Sequence, residues 1–182
     1  MAIPLELLQG LFDRALSEFF EREAEALVVG VNERNSCGRL AVYLDRKASD
    51  AGLAGYFADT EYNRKQGGQI KTILDGNMQV ITINCDLILH SRGVNIAEDN
   101  LIAVEMKKAN RPTREKDADR NRLRAMTKSS FDGIWENDGT TQPEHVCGYR
   151  LGAYIELHSS ARVANLEYFM RGEQTGSETR QY

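Results

Sequence analysis

The stretch that decides the fold runs from Cys85 to Lys108 and reads CDLILH-SRGVNIAEDN-LIAVEMKK. Two short apolar runs, rich in Leu, Ile and Val, stand on either side of a polar segment that contains a glycine. Apolar runs of this length separated by turn residues predict two β-strands joined as a hairpin. Asp, Glu and Lys stand at the ends of the runs, where a strand rarely buries a charge unless the charge is paired or binds a ligand.

The predicted hairpin brings two carboxylates together. If the chain turns near residues 94–96, Asp86 on the first strand and Glu105 on the second lie side by side at the open end. Side chains alternate along a strand, so Glu105 and Lys107 share one face while Met106 points to the other. Because like charges so close repel each other, a divalent cation is their natural neutraliser.

Length, charge and cysteine content limit the class of protein. The chain has 182 residues and a formal net charge of −4, which suits one domain with a real core. Its three cysteines form no CxxC pair, which is typical of a reducing compartment and argues against a disulfide scaffold or a zinc knuckle. The sequence has no apolar run of about 18 residues and no basic segment before its first apolar residues. We therefore expect a cytoplasmic protein without a membrane partner.

Two helices are predicted before the first strand. Pro4 suits the first turn of an amphipathic helix that continues to about Val28, and its aromatic stripe is typical of a packing face. Self-association through that face leaves a homodimer open. Asn32 is a plausible N-cap for a second helix over residues 33–48. Glu33 in its first turn either complements the helix dipole or supplies a third acidic group that faces the hairpin.

Further strands are predicted on both sides of the hairpin. Residues 55–64 form an extended, aromatic-rich segment, and residues 79–84 lead directly into the hairpin, so that the second strand is long and bent. Alternation over 149–157 and a short apolar run over 166–170 predict two more strands. Residues 172–182 are polar and are expected to be a disordered tail.

Basic residues dominate the segment after the hairpin. Thr113 can cap a helix that ends at about Lys128, with Leu123 and Met126 on its buried side. A charge run is usually a solvated helix face, but this one directly follows the carboxylate pair, so it is also a candidate footprint for phosphates. The candidate nucleic-acid contacts are Lys108, Arg111, Arg114, Arg120 and Arg124.

The predicted order is helix, helix, three strands, helix and two strands. This order indicates an α/β or α+β domain with a mixed central β-sheet flanked by helices. Residues 1–171 would form a single domain, with the helix of residues 1–30 packed on it and the tail following.

The hairpin resembles the core motif of the PD-(D/E)XK nuclease superfamily in its runs DLILH (Asp86–His90) and LIAVEMK (Leu101–Lys107). In that superfamily, which has the restriction-endonuclease-like fold, an Asp begins one strand, Glu-x-Lys ends the next, and a helix follows. A glutamate on the helix before the first strand often joins the site, and Glu33 matches it. The match covers about the middle half of the chain, and Cys85 stands where the motif's name has Pro.

The resemblance implies a metal-dependent nuclease that hydrolyses phosphodiester bonds in nucleic acid, with DNA favoured over RNA. Asp86, Glu105 and Lys107 would be its catalytic residues. Asp86 and Glu105, joined by Glu33, would bind Mg²⁺, with Mn²⁺ as a substitute, because a hard cation prefers carboxylate and water oxygens. The cation would activate a water and stabilise charge on the phosphate. Lys107 would orient or deprotonate that water, or neutralise the developing charge.

Two other functions stay open. The same fold can serve as a non-catalytic module that binds nucleic acid or a protein, and a small-molecule enzyme can also use a Mg²⁺–carboxylate site. The absence of a glycine-rich phosphate loop of the Walker type argues against nucleotide hydrolysis as the function.

His90 shares a face with Asp86 but lies at the far end of the strand, so we expect a structural, hydrogen-bonded histidine. Asp59 and Glu61 are further candidate ligands from the first strand.

Overall fold

A computed structural model of the protein describes residues 2–62, 72–74, 80–82, 85–128 and 147–182. Within these residues the chain forms three α-helices and eight β-strands. The helices are α1 (Leu5–Val29), α2 (Glu33–Asp50) and α3 (Thr113–Thr127). The strands are β1 (Phe57–Thr60), β2 (Thr72–Leu74), β3 (Val80–Thr82), β4 (Leu87–His90), β5 (Asn100–Lys108), β6 (Leu151–His158), β7 (Val163–Met170) and β8 (Glu173–Gln181).

Six of the strands form one mixed sheet in the order β1-β4-β5-β6-β7-β8. Neighbouring strands are antiparallel except β5 and β6, which are parallel. The predicted mixed sheet flanked by helices is therefore confirmed, and the chain is of the α+β type. The predicted strands at 149–157 and 166–170 correspond to β6 and β7, the second of which begins three residues earlier than predicted.

The expected long, bent second strand is wrong within the described residues. β3 pairs with β2 in a separate two-stranded sheet, while β4 pairs with β1 and β5. Residues 83–84, which would have made the two strands continuous, lie outside the described residues, as do residues 63–64 of the predicted first strand. Hydrophobicity alone could not distinguish a strand that continues from one that pairs elsewhere.

The helices form largely as the sequence predicts. The apolar stripe of α1 is buried in the core, which confirms it as a packing face. The Asn32 side chain accepts a hydrogen bond from the Asn35 backbone N–H at 2.7 Å and so caps α2. The predicted cap of α3 is wrong, because Pro112 occupies the N-cap and Thr113 is the first helical residue. Pro112 makes no side-chain capping hydrogen bond, and its fixed φ, −54° here, is compatible with the start of a helix.

The predicted disordered tail is wrong. Residues 173–181 form β8, which pairs antiparallel with β7 along its whole length and extends the sheet beyond the predicted boundary at residue 171. The last residue, Tyr182, stacks its ring on Phe20 of α1 with the centroids 5.4 Å apart. Backbone pairing with β7 and this aromatic contact give the segment a defined structure, although its polar composition predicts disorder.

The helices cover opposite faces of the six-stranded sheet. α1 and α2 pack against one face in a large cluster that includes Leu89, Val104 and Met106. α3 packs against the other face, where Leu123 and Met126 meet residues such as Ala103 and Tyr154. None of the described helices is long and apolar enough to cross a membrane. The ends of β4 and β5 therefore lie between the helical layers, with the α3 layer over the face that carries Glu105.

Candidate active site

The hairpin places Asp86 and Glu105 next to each other, as predicted. Leu87 pairs with Val104 in the antiparallel register, so Asp86, one residue before Leu87, meets Glu105, one residue after Val104. Asp86 is fixed further by the Met106 backbone N–H, which donates to its Oδ2 at 2.9 Å. The open end of the hairpin thus carries two carboxylates on adjacent strands.

Glu105 is completely buried, with 0% of its side chain exposed. Its Oε1 accepts a hydrogen bond from the Arg122 guanidinium at 2.5 Å, while its buried Oε2 has no hydrogen-bond partner among the described residues. Burial, and then the neighbouring Asp86 carboxylate, raise the pKa of Glu105 well above its usual range. A buried carboxylate with one bare oxygen beside a second carboxylate is a costly arrangement unless a ligand uses it.

Lys107 lies on the same side of β5 as Glu105 and completes the predicted set. Its Nζ is 3.1 Å from Asp119 Oδ2 and 3.9 Å from Asp86 Oδ2. Burial lowers the pKa of Lys107, but the Asp86 and Asp119 carboxylates outweigh it, so that the pKa lies above its ordinary value. Lys107 is therefore a charged amine at the edge of the carboxylate pair.

Helix α3 supplies two site residues that the sequence interpretation missed. Asp119 is 5% exposed and contacts Lys107, while Arg122 contacts both Asp119 and Glu105. A usable signal was present, since residues 119, 122, 123 and 126 are spaced as one helical stripe and the last two are the apolar residues Leu123 and Met126. Two charged residues on a buried stripe need partners across the interface, and the hairpin carries them.

Glu33 lies near the site but its oxygens are occupied. Oε1 accepts from the Lys108 backbone N–H and from Arg111 Nε, each at 3.0 Å, and Oε2 accepts from the Arg111 guanidinium at 3.2 Å. Burial raises the pKa of Glu33, but the Arg111 and Lys108 hydrogen bonds bring it below its usual value. The metal-binding role of Glu33 stays a prediction that would require Glu33 to release Arg111.

The Cys37 thiol lies one turn further along α2. Burial raises the pKa of this thiol, and the Asp86, Glu105 and Glu33 carboxylates raise it further.

The candidate nucleic-acid contacts differ in how far they are engaged within the protein. Lys108 donates through Nζ to the Gly30 carbonyl at 2.7 Å, at the end of α1. Arg120 pairs with Glu167 at 2.7 Å and lies over the Tyr154 ring. Arg124 lies over the Phe169 ring, 5.2 Å from its centroid. Arg114 is exposed in the first turn of α3. Arg114 therefore best fits a phosphate contact, and Arg111 is tied to Glu33.

The polar residues of β1 and the far end of β4 form a separate network. His90 is fully buried, and its Nε2 lies 3.0 Å from Asp59 Oδ2. Arg92 donates to both Asp59 oxygens, at 2.7 and 2.6 Å. These bonds lower the pKa of Asp59, although burial raises it. Glu61 pairs with Arg34 at 2.7 Å. These contacts agree with a structural His90 and give Asp59 and Glu61 partners of their own.

The chemistry of the carboxylate pair fits a hard divalent cation. In the described part of the chain, no cluster of three or more His, Cys, Asp or Glu residues is placed to hold a metal ion. Mg²⁺ does not need such a cluster, because it usually keeps several waters and binds through one or two carboxylates together with substrate phosphates. Glu105, through its bare Oε2, and the adjacent Asp86 would be those two carboxylates.

Comparison of the chain with protein-family models, with curated proteins and with solved structures finds no match in any of the three.

Proposed function

We propose that this protein is a metal-dependent nuclease that hydrolyses phosphodiester bonds, with DNA as its substrate. The observation that carries the proposal is the pair of adjacent carboxylates, Asp86 and Glu105, in which a fully buried Glu105 keeps one oxygen bare. This arrangement opposes stability, because burial and the neighbouring Asp86 charge both disfavour the ionised form of Glu105. Lys107 beside the pair adds the third member of the motif.

Each residue has a role that its position allows. Asp86 and Glu105 would hold Mg²⁺ through their free oxygens. When bound, the cation supplies positive charge at the scissile phosphate and lowers the pKa of a water. Lys107 would orient the attacking water, accept its proton or neutralise the developing charge. Arg114 and neighbouring cations of α3 would position the phosphate backbone without reading its sequence.

The order of elements supports the resemblance to the PD-(D/E)XK superfamily. Helix α2 with Glu33 near its start precedes strand β1, and the β4–β5 hairpin with Asp86 and Glu105 follows. Helix α3 then packs back over the same end of the hairpin, where it reaches Glu105 and Lys107. We propose on this basis that the sheet and its helices have the restriction-endonuclease-like fold.

A second candidate function is a binding module on the same fold that does not cut. The observation that favours it is the pairing of site carboxylates with protein cations, Glu105 with Arg122 and Asp119 with Lys107. In a module of this kind these pairs would be permanent. In a nuclease the bare Glu105 oxygen and Asp86 would bind a divalent metal ion while these ion pairs stay in place.

A nuclease panel distinguishes the two candidates. The wild-type protein would be incubated with linear, nicked, branched and single-stranded DNA and with RNA, in Mg²⁺ or Mn²⁺. We expect cleavage of at least one DNA substrate, and a loss on the order of 100-fold or more in Asp86→Ala and Lys107→Ala. Asp117→Asn on the exposed side of α3 serves as the control. Equal cleavage by wild type and both site variants would refute the catalytic assignment.

A further inference from the structure

Asp119 of α3 contacts two cations through its two oxygens. Its Oδ1 accepts from the Arg122 guanidinium at 3.1 Å. Its Oδ2 lies at an ion-pair distance of 3.1 Å from Lys107 Nζ, although no hydrogen bond of good geometry reaches Oδ2 from the described residues. Its side chain is 5% exposed, so both contacts are shielded from water. Two cations converging on a nearly buried carboxylate fix its position and theirs, because each ion would be costly to bury alone.

Lys107 lies between two carboxylates but closer to Asp119. Its Nζ is 3.1 Å from Asp119 Oδ2 and 3.9 Å from Asp86 Oδ2. The shorter distance is that of a direct ion pair, and the longer one exceeds hydrogen-bond length. If Lys107 moved onto Asp86, it would occupy an oxygen needed for a divalent cation and would add positive charge beside it.

We propose that Asp119 is a positioning residue that holds the Lys107 ammonium away from Asp86 and so leaves Asp86 open to a divalent cation. The inference rests on the proposed cation site at Asp86 and Glu105. The same carboxylate also orients Arg122 toward Glu105 Oε1, which leaves the second Glu105 oxygen bare. Through Asp119, helix α3 thereby holds Lys107 and Arg122 where neither occupies the oxygens proposed to bind the metal ion.

The test is a double-mutant cycle in Mn²⁺ affinity, measured on the full chain without nucleic acid by the paramagnetic signal of free Mn²⁺. The variants are Asp119→Asn, Lys107→Met and the double variant, with Asp117→Asn as the matched control, since Asp117 is exposed on the same helix. We expect Asp119→Asn to weaken Mn²⁺ binding roughly tenfold, because contacting residues couple by about that much. In the Lys107→Met background the same change should have little effect.

The outcomes separate this inference from the site on which it rests. Equal weakening by Asp119→Asn in both backgrounds, or no weakening at all, overturns the positioning role while leaving the cation site in place. Glu105→Gln should abolish Mn²⁺ binding, and if it binds as the wild type does, the site itself is wrong and the inference with it. If Asp119→Asn does not fold, Asp119→Ser closes the same cycle.

Discussion

Glu105 is a single residue whose surroundings oppose the stability of the fold. Its carboxylate is fully buried, lies beside Asp86 and receives one hydrogen bond from the described residues, donated by Arg122. Burial and the Asp86 charge raise its pKa well above the usual range, although Arg122 opposes them. The folded state therefore binds a proton at Glu105 more tightly than the unfolded chain does.

Glu105→Gln should stabilise the metal-free protein, because it removes the charge that the folded state disfavours. When the folded state raises the pKa of a group, the free energy of unfolding falls as pH rises above the pKa of that group in the unfolded chain, here near 4.5. The variant should thus match wild type at low pH and have the higher free energy of unfolding near neutrality, because the raised folded pKa means that burial and the Asp86 charge outweigh the pairing with Arg122. Urea unfolding in EDTA at several pH values measures this.

Glu115→Gln, an exposed change on α3, is the control and should stay within about 0.5 kcal/mol of wild type. If Glu105→Gln is the less stable protein at neutral pH, the Arg122 ion pair outweighs the cost of burial and the account of Glu105 is wrong.

Helix α3, as one element, carries three kinds of charged residue. Asp119 and Arg122 face the hairpin, and Arg120 is tied to Glu167 and the Tyr154 ring. Arg114 is exposed in the first turn. A run that looks uniform in sequence therefore combines site residues, structural ion pairs and free surface charge, so its cations should differ in their effects on nucleic-acid binding.

Arg114→Gln and Arg120→Gln should separate these roles. We expect Arg114→Gln to weaken DNA binding several-fold without lowering the free energy of unfolding. The slope of the logarithm of the binding constant against the logarithm of salt concentration should fall by about one. Arg120→Gln should lower the free energy of unfolding by about 1–3 kcal/mol, because it leaves Glu167 without its partner. Fluorescence anisotropy of labelled duplex DNA in Ca²⁺ and thermal unfolding measure the two effects. Equal loss of DNA binding in both variants, with stability unchanged, would contradict this division.

Sequence periodicity explains which elements could be predicted. The apolar stripe of α1, the Asn32 cap and the apolar run of β5 each depend on neighbours in the chain. β8 could not be predicted in this way, because its side chains are nearly all exposed and its order comes from pairing with β7. The role of Asp119 also depends on a tertiary contact, since only packing brings it to Lys107.

The whole molecule places the site between elements that are distant in the chain. The sheet separates α1 and α2 from α3, and the hairpin ends under α3 with both carboxylates beside it. The β4–β5 hairpin could be predicted from sequence, but the side chains that surround it required the complete sheet. This arrangement encloses Glu105 and leaves Asp86 partly exposed, and Asp86 is therefore the side from which we propose that a cation and a phosphate approach.

The most direct test of this account is an anomalous difference map from crystals soaked in Mn²⁺. We predict a single strong peak at about 2 Å from oxygens of both Asp86 and Glu105, with Lys107 still beside Asp119. A map without a peak there at saturating Mn²⁺, with Arg122 and Lys107 as the sole partners of the site carboxylates, would contradict the account.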